Sequence, residues 1–119
     1  MRSIMVVDDD VNICTILSEE LNEIGFISNY FTTAEGAIDY LMEHQVDLVL
    51  LDLKMPGKDG FYVLNMLNEL KIKTKTIVLT AYADLSGIIQ SSHLGAIDFI
   101  SKPYDFDELL VTIRKVLFD

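Results

Sequence analysis

The chain has 119 residues, half of them apolar, with a formal net charge of -10 at pH 7. That length fits one domain, residues 1–119, with a sizeable buried core, and the acidity argues against direct nucleic acid binding, which needs clustered Lys and Arg. A single cysteine excludes an internal disulfide, no apolar run approaches membrane-spanning length, and the first seven residues are too short for a signal peptide, so a cytoplasmic protein off the membrane is expected.

In chain order, Ile4–Val7 is a short apolar run that reads as a strand buried on both faces. It runs into Asp8, Asp9 and Asp10, the last of which suits a helix cap. The next helix spans about Val11–Ile24, with Cys14, Leu17, Leu21 and Ile24 on one side, and stops at Gly25. Cys14 on that face reads as a small core residue. Phe26–Phe31 alternates and reads as a second strand. A second helix begins at Thr32, where Glu35 three residues on completes a capping box. Its apolar face is Ala34, Ala37, Ile38, Leu41 and Met42, and His44 near its end is surface filler. Leu48–Leu51 is the third strand, followed at once by Asp52. The third helix covers about Gly60–Leu70.

Ile77–Leu79 is the fourth strand and ends in Thr80. The fourth helix, about Asp84–Leu94, is the poorest. Gly87, Ser86, Ser91 and Ser92 lower its propensity, and a mid-helix Gly costs on the order of 1 kcal/mol against Ala. Asp98–Ser101 is the last strand and leads into Lys102 and Pro103. The fifth helix opens at Asp105, with Glu108 three residues on, and buries Phe106, Leu109, Leu110, Ile113 and Leu117. Five βα repeats imply an α/β, doubly wound parallel sheet with helices on both faces. Ligands of such sheets sit at the carboxyl ends of the strands.

Four of the five strands deliver a polar group at that edge: Asp8 and Asp9, Asp52, Thr80 and Lys102. Each alone has an ordinary explanation as a cap, turn or surface residue. Their coincidence on separate strands is what points to a site. Converging carboxylates raise one another's pKa unless a cation is present. Hard oxygen ligands select Mg2+ or Mn2+. With metal and Lys102 in place the pocket becomes hospitable to phosphate. A carboxylate can then act as nucleophile, as in aspartyl-phosphate chemistry, and Thr80 can donate a hydrogen bond to a phosphoryl oxygen.

These residues resemble the receiver domain of two-component response regulators, the family of the chemotaxis protein CheY. The motifs that carry the resemblance are Val-Val-Asp8-Asp9, the run from Asp52 through Pro56 to Gly60, Thr80-Ala81 and Lys102-Pro103. The resemblance covers the whole chain and implies a flavodoxin-like sheet of five strands in the order 2-1-3-4-5 with five helices. It implies that Asp52 is the phosphoacceptor, assisted by Lys102 and Thr80. Asp9 and Asp52 would ligate metal directly, Asp8 largely through water, and Lys54 through its backbone carbonyl. Thr80 and Phe99 would form the switch, Thr80 moving toward the phosphoryl group while the Phe99 ring turns inward. The Lys102-Pro103 bond is expected to be cis.

The resemblance further implies partners. A histidine kinase or histidine phosphotransfer protein would donate the phosphoryl group. An output domain, a separate target or a second receiver would read it. The run from Lys102 to Glu108 is similar to that of nitrogen-regulatory regulators and phosphorelay receivers. Such a domain assists its own phosphorylation and dephosphorylation without turning over an outside substrate. A degenerate receiver serving only as a binding module stays open. A haloacid dehalogenase-like phosphatase would want a second Asp where Lys54 stands, and Asp8, Asp9 and Asp10 would repel the phosphate of a flavodoxin cofactor.

Lys54 and Tyr82 are large residues at two positions that, by the resemblance, shape water access to the acyl phosphate. Replacing both with small polar residues is expected to shorten the half-life of phosphorylated protein. An unchanged half-life, followed by intact mass over time, would remove this role.

Overall fold

The apolar runs do form strands, and every one of them pairs in parallel. The computed structural model describes residues 2–81 and 84–118, so Tyr82 lies outside the described residues. The elements are β1 (Ser3–Val7), α1 (Val11–Glu23), β2 (Ile27–Phe31), α2 (Ala34–Glu43), β3 (Leu48–Asp52), α3 (Gly60–Glu69), β4 (Lys75–Ala81), α4 (Leu85–His93), β5 (Asp98–Lys102) and α5 (Phe106–Phe118). The sheet order is β2-β1-β3-β4-β5. The order reverses at β1, which lies between β2 and β3, so the carboxyl ends of β1 and β3 flank the switch point where such folds bind ligands.

Side chains alternate across each strand, and the sheet therefore feeds two cores. On one face Met5, Val7, Val49, Leu51 and Val78 pack against Ala37, Ile38 and Leu41 of α2 and Val63, Leu64 and Leu67 of α3. On the other, Ile4, Val6, Leu48, Leu50, Ile77 and Leu79 meet Cys14, Leu17 and Leu21 of α1 and Leu109, Ile113 and Leu117 of α5. Cys14 is buried, its thiol lies 3.2 Å from the Asp8 carbonyl, and burial followed by the charge of Asp8 pushes it up to about 11. It is a core residue and an unreactive one.

The local signals fared unevenly. Asp10 does cap α1, its carboxylate accepting from the N–H groups of Asn12 and Ile13. The cap of α2 is Thr33 and not Thr32: its hydroxyl accepts from Gly36, so no capping box forms, and Glu35 simply sits in the acid-favouring first turn. Ile24 and Met42 are exposed. Ile24 lies just past the last turn of α1, before Gly25 at φ 105°, and Met42 falls off the edge of its helix face. On α5 the buried positions are Leu109, Ile113, Val116 and Leu117, which follow one helical stripe, while Phe106 and Leu110 flank it and are only partly covered. The Lys102-Pro103 bond is cis.

One glycine fixes how close α3 comes to the edge. A Cβ at Gly60 would lie 2.6 Å from the Asp52 carbonyl oxygen and 2.8 Å from Leu53 Cα, and both neighbours are backbone. The Gly60 N–H donates to the Leu53 carbonyl at 3.2 Å. Gly60→Ala is therefore expected to destabilise the protein by about 1–3 kcal/mol despite the better helix propensity of Ala. Urea unfolding measures it, and an unchanged or raised midpoint would contradict the close approach.

Candidate functional site

The parallel register sets the site's geometry. Val7 pairs with Leu51, so Asp8 follows β1 beside the end of β3, and Asp52 pairs with Leu79 one residue before Thr80. Thr80 pairs with Ser101 and Ala81 with Lys102. Single oxygens of Asp8, Asp9 and Asp52 all lie within 4.8 Å of one another. Asp8 is 1% and Asp52 6% exposed, while Asp9 faces solvent.

Lys102 closes the opposite side. Its ammonium lies 2.7 Å from an oxygen of Asp8 and 3.6 Å from one of Asp52. Burial alone would lower the Lys102 pKa, but the hydrogen bond to Asp8 and the charges of Asp52 and Asp8 together outweigh it and raise it. Asp52 goes the other way for a carboxylate. Burial pushes it from its ordinary 3.8 up to about 6; Asp8 and Asp9 add to the rise, and Lys102 and the Lys54 N–H only partly offset it. Three carboxylates face one ammonium, and the donors are hard oxygens. That set fits a divalent cation of the Mg2+ kind.

The Lys54 N–H donates to Asp52 Oδ1 at 3.2 Å, while its side chain, 71% exposed, reaches to 3.9 Å from Asp84 Oδ2. A cavity of about 600 Å³ opens over the site, lined by Ile13, Asp52, Lys54, Ala81, Lys102, Pro103 and Tyr104.

The description of the response regulator receiver domain family matches residues 4–114. The chain belongs to that family. The receiver is 37% identical to sporulation initiation phosphotransferase F of Bacillus subtilis over 98% of its own length and 94% of that protein's. Among solved structures it resembles a CheY-like receiver domain protein of Methanospirillum hungatei, at 29% identity and TM-score 0.92, covering 98% of this chain and 94% of that one. It also resembles response regulator TrrA of Thermotoga maritima in complex with Mg2+-BeF, at 37% identity and TM-score 0.83, covering 98% of this chain and 100% of that one. Several other curated relatives are regulatory proteins, transcriptional regulators among them, and the receiver spans about a quarter of their length. Its class of function is a phosphorylation-dependent signalling switch. No helix among the described residues is long and apolar enough to cross a membrane.

Asp8, Asp9, Asp52 and Lys102 thus share one cluster, and Lys54 borders it through its N–H. Thr80 is buried at the same edge, but its hydroxyl donates to Asp84 Oδ2 at 3.2 Å. Phe99 is set apart from the acids. It is 44% exposed and stands with Ile88, Ile89 and Ser92 around a separate groove of about 340 Å³. Asp84 is the residue that sequence reasoning missed. It was legible only as an acid at the start of a weak helix.

The raised Asp52 pKa has a sign for stability. Between about pH 4 and 6 the folded protein without metal keeps a proton that the unfolded chain has released. This group's contribution is therefore intact below that window and is lost as pH rises through it. Asp52→Asn is expected to stabilise the metal-free protein at pH 7 by about 1–3 kcal/mol, with the gain shrinking toward pH 4. Thermal unfolding at both pH values checks this; a less stable variant at pH 7 would refute it.

Proposed function

We propose that this receiver accepts a phosphoryl group on Asp52 from a phosphohistidine donor, a histidine kinase or histidine phosphotransfer protein, and signals by the resulting change. An Asp52 carboxylate oxygen attacks phosphorus, the P–N bond to the donor imidazole breaks with its electron pair staying on nitrogen, and an acyl phosphate forms. The observation that carries the reading is the meeting of Asp52 with both Lys102 and the carboxylates of Asp8 and Asp9 at one sheet edge.

In this reading Asp8, Asp9, Asp52 and the Lys54 carbonyl hold Mg2+ or Mn2+. The ion, when bound, neutralises charge on the transferring group. Lys102 orients and neutralises a phosphoryl oxygen from the opposite side. Its reach to both Asp8 and Asp52 supports that role. Asp52 must be ionised to attack, and bound cation lowers the pKa that burial has raised. The Thr80 hydroxyl donates to the phosphoryl group, and Phe99 reports the change by packing alone, since it has no hydroxyl. Lys54 shields the acyl phosphate from water. The domain hydrolyses only its own acyl phosphate, acts in the cytoplasm, and passes its state to an output domain, a target protein or a second receiver.

Incubation with acetyl phosphate and Mg2+, followed by intact mass, tests the chemistry. A covalent gain of one phosphoryl group is expected, absent in Asp52→Asn and without Mg2+. No gain in the wild-type protein would leave a receiver that acts only as a binding module; a gain in Asp52→Asn would place the acceptor elsewhere.

A further inference from the structure

The fourth helix begins with an arrangement that the phosphoryl chemistry does not require. Asp84 caps it: Oδ1 accepts from the Gly87 N–H at 3.2 Å. Its other oxygen, Oδ2, accepts from the Thr80 hydroxyl at 3.2 Å and lies 3.9 Å from the Lys54 ammonium. One carboxylate thus ties the first turn of α4 to a hydroxyl near the end of β4. The Thr80 side chain has a single donor proton, and here that proton is committed to Asp84.

Gly87 makes the arrangement possible. A Cβ at that position would lie 2.7 Å from Asp84 Cγ and 2.9 Å from Oδ1. Any larger residue would push the carboxylate off its cap and away from Thr80. Gly87 is the residue that most weakens α4 as a helix, and its place under the Asp84 carboxylate gives it a physical purpose.

We propose that Asp84 is a positioning residue that restrains Thr80, so that its hydrogen bond must break before Thr80 can engage the phosphoryl group. The inference rests on the reading of Thr80 and Asp52 given above. A hydrogen bond to a carboxylate is stronger than one between neutral groups. It is present in the unphosphorylated receiver and absent once the hydroxyl has turned to the phosphoryl oxygen. Asp84 therefore favours the unphosphorylated state, and the same carboxylate couples release of Thr80 to the first turn of α4. Lys54, close to the same oxygen, is placed to follow either anion.

Beryllofluoride with Mg2+ is the probe, as a stable mimic of the phosphoryl group, and calorimetric titration reads its affinity. Asp84→Ser keeps a cap for α4, but its single, shorter and neutral hydroxyl removes the carboxylate that holds Thr80. Gly87→Ala leaves Asp84 in the chain but displaces its carboxylate. Each is expected to tighten beryllofluoride binding by about tenfold or more, the worth of one charge-assisted hydrogen bond. The same gain is expected when Thr80 is replaced by Ser, which keeps the hydroxyl. In Thr80→Val both changes are expected to alter affinity by less than about twofold.

Equal tightening in the Thr80→Val background would overturn the proposal, because Asp84 would then act through charge alone. So would no tightening in the Thr80 background. Failure of the wild-type protein itself to bind the probe would instead refute the assignment of Asp52, and the Asp84 proposal with it.

Discussion

Everything at the functional edge depends on holding negative side chains closer together than they would choose to be. Asp8 and Asp52 are both buried at the ends of neighbouring strands, with Asp9 beside them. At such separations like charges repel by a few kcal/mol at an effective dielectric near 20. Lys102, in contact with both buried acids, is one positive charge against three carboxylates, and burial first, with Asp8 and Asp9 adding to it, raises Asp52 to about 6. The remaining deficit of positive charge is what a dication would supply. Without a cation the cluster therefore holds more negative than positive charge.

The scaffold can bear that strain because the central strands are packed on both faces. The same strands that end in Asp8 and Asp52 bury every one of their apolar residues, alternately into the α2–α3 core and the α1–α5 core. Burial of a Val, Leu or Ile contributes about 1.5–3 kcal/mol each, so a few such residues outweigh the repulsion at the strand ends. Gly60 extends this economy of space by letting the start of α3 lie directly against the backbone of Asp52 and Leu53. The backbone at the end of β3 is clamped there.

The far side of the edge is built differently. β5 is the outer strand, Phe99 on it is exposed, and α4 is a weak helix whose first turn hangs on the Asp84 carboxylate. Few buried apolar contacts and a glycine in the helix place this region at the low-stability end of the molecule, where moving elements are drawn from. Thr80 joins the two regimes, buried with the rigid strands yet hydrogen-bonded to the start of the soft helix.

Much of this was legible in the chain of residues. Alternating strand and helix patterns specify a doubly wound sheet, because helices on both faces bury such strands and five repeats are too few to close a barrel of eight. That layering in turn brings Asp8, Asp9, Asp52, Thr80 and Lys102 to one edge, since each follows the carboxyl end of its strand. Periodicity is a local property and could go no further. It could not show that Lys102 sits closer to Asp8 than to Asp52, or that Thr33 caps α2 in place of Thr32, because those choices turn on tenths of an ångström and on single dihedral angles. Nor could it show the bond between Thr80 and Asp84 or the lack of space above Gly87. These depend on how the end of β4 meets the first turn of α4 in three dimensions, where a carboxylate finds a hydroxyl and an amide at once and a glycine leaves it room.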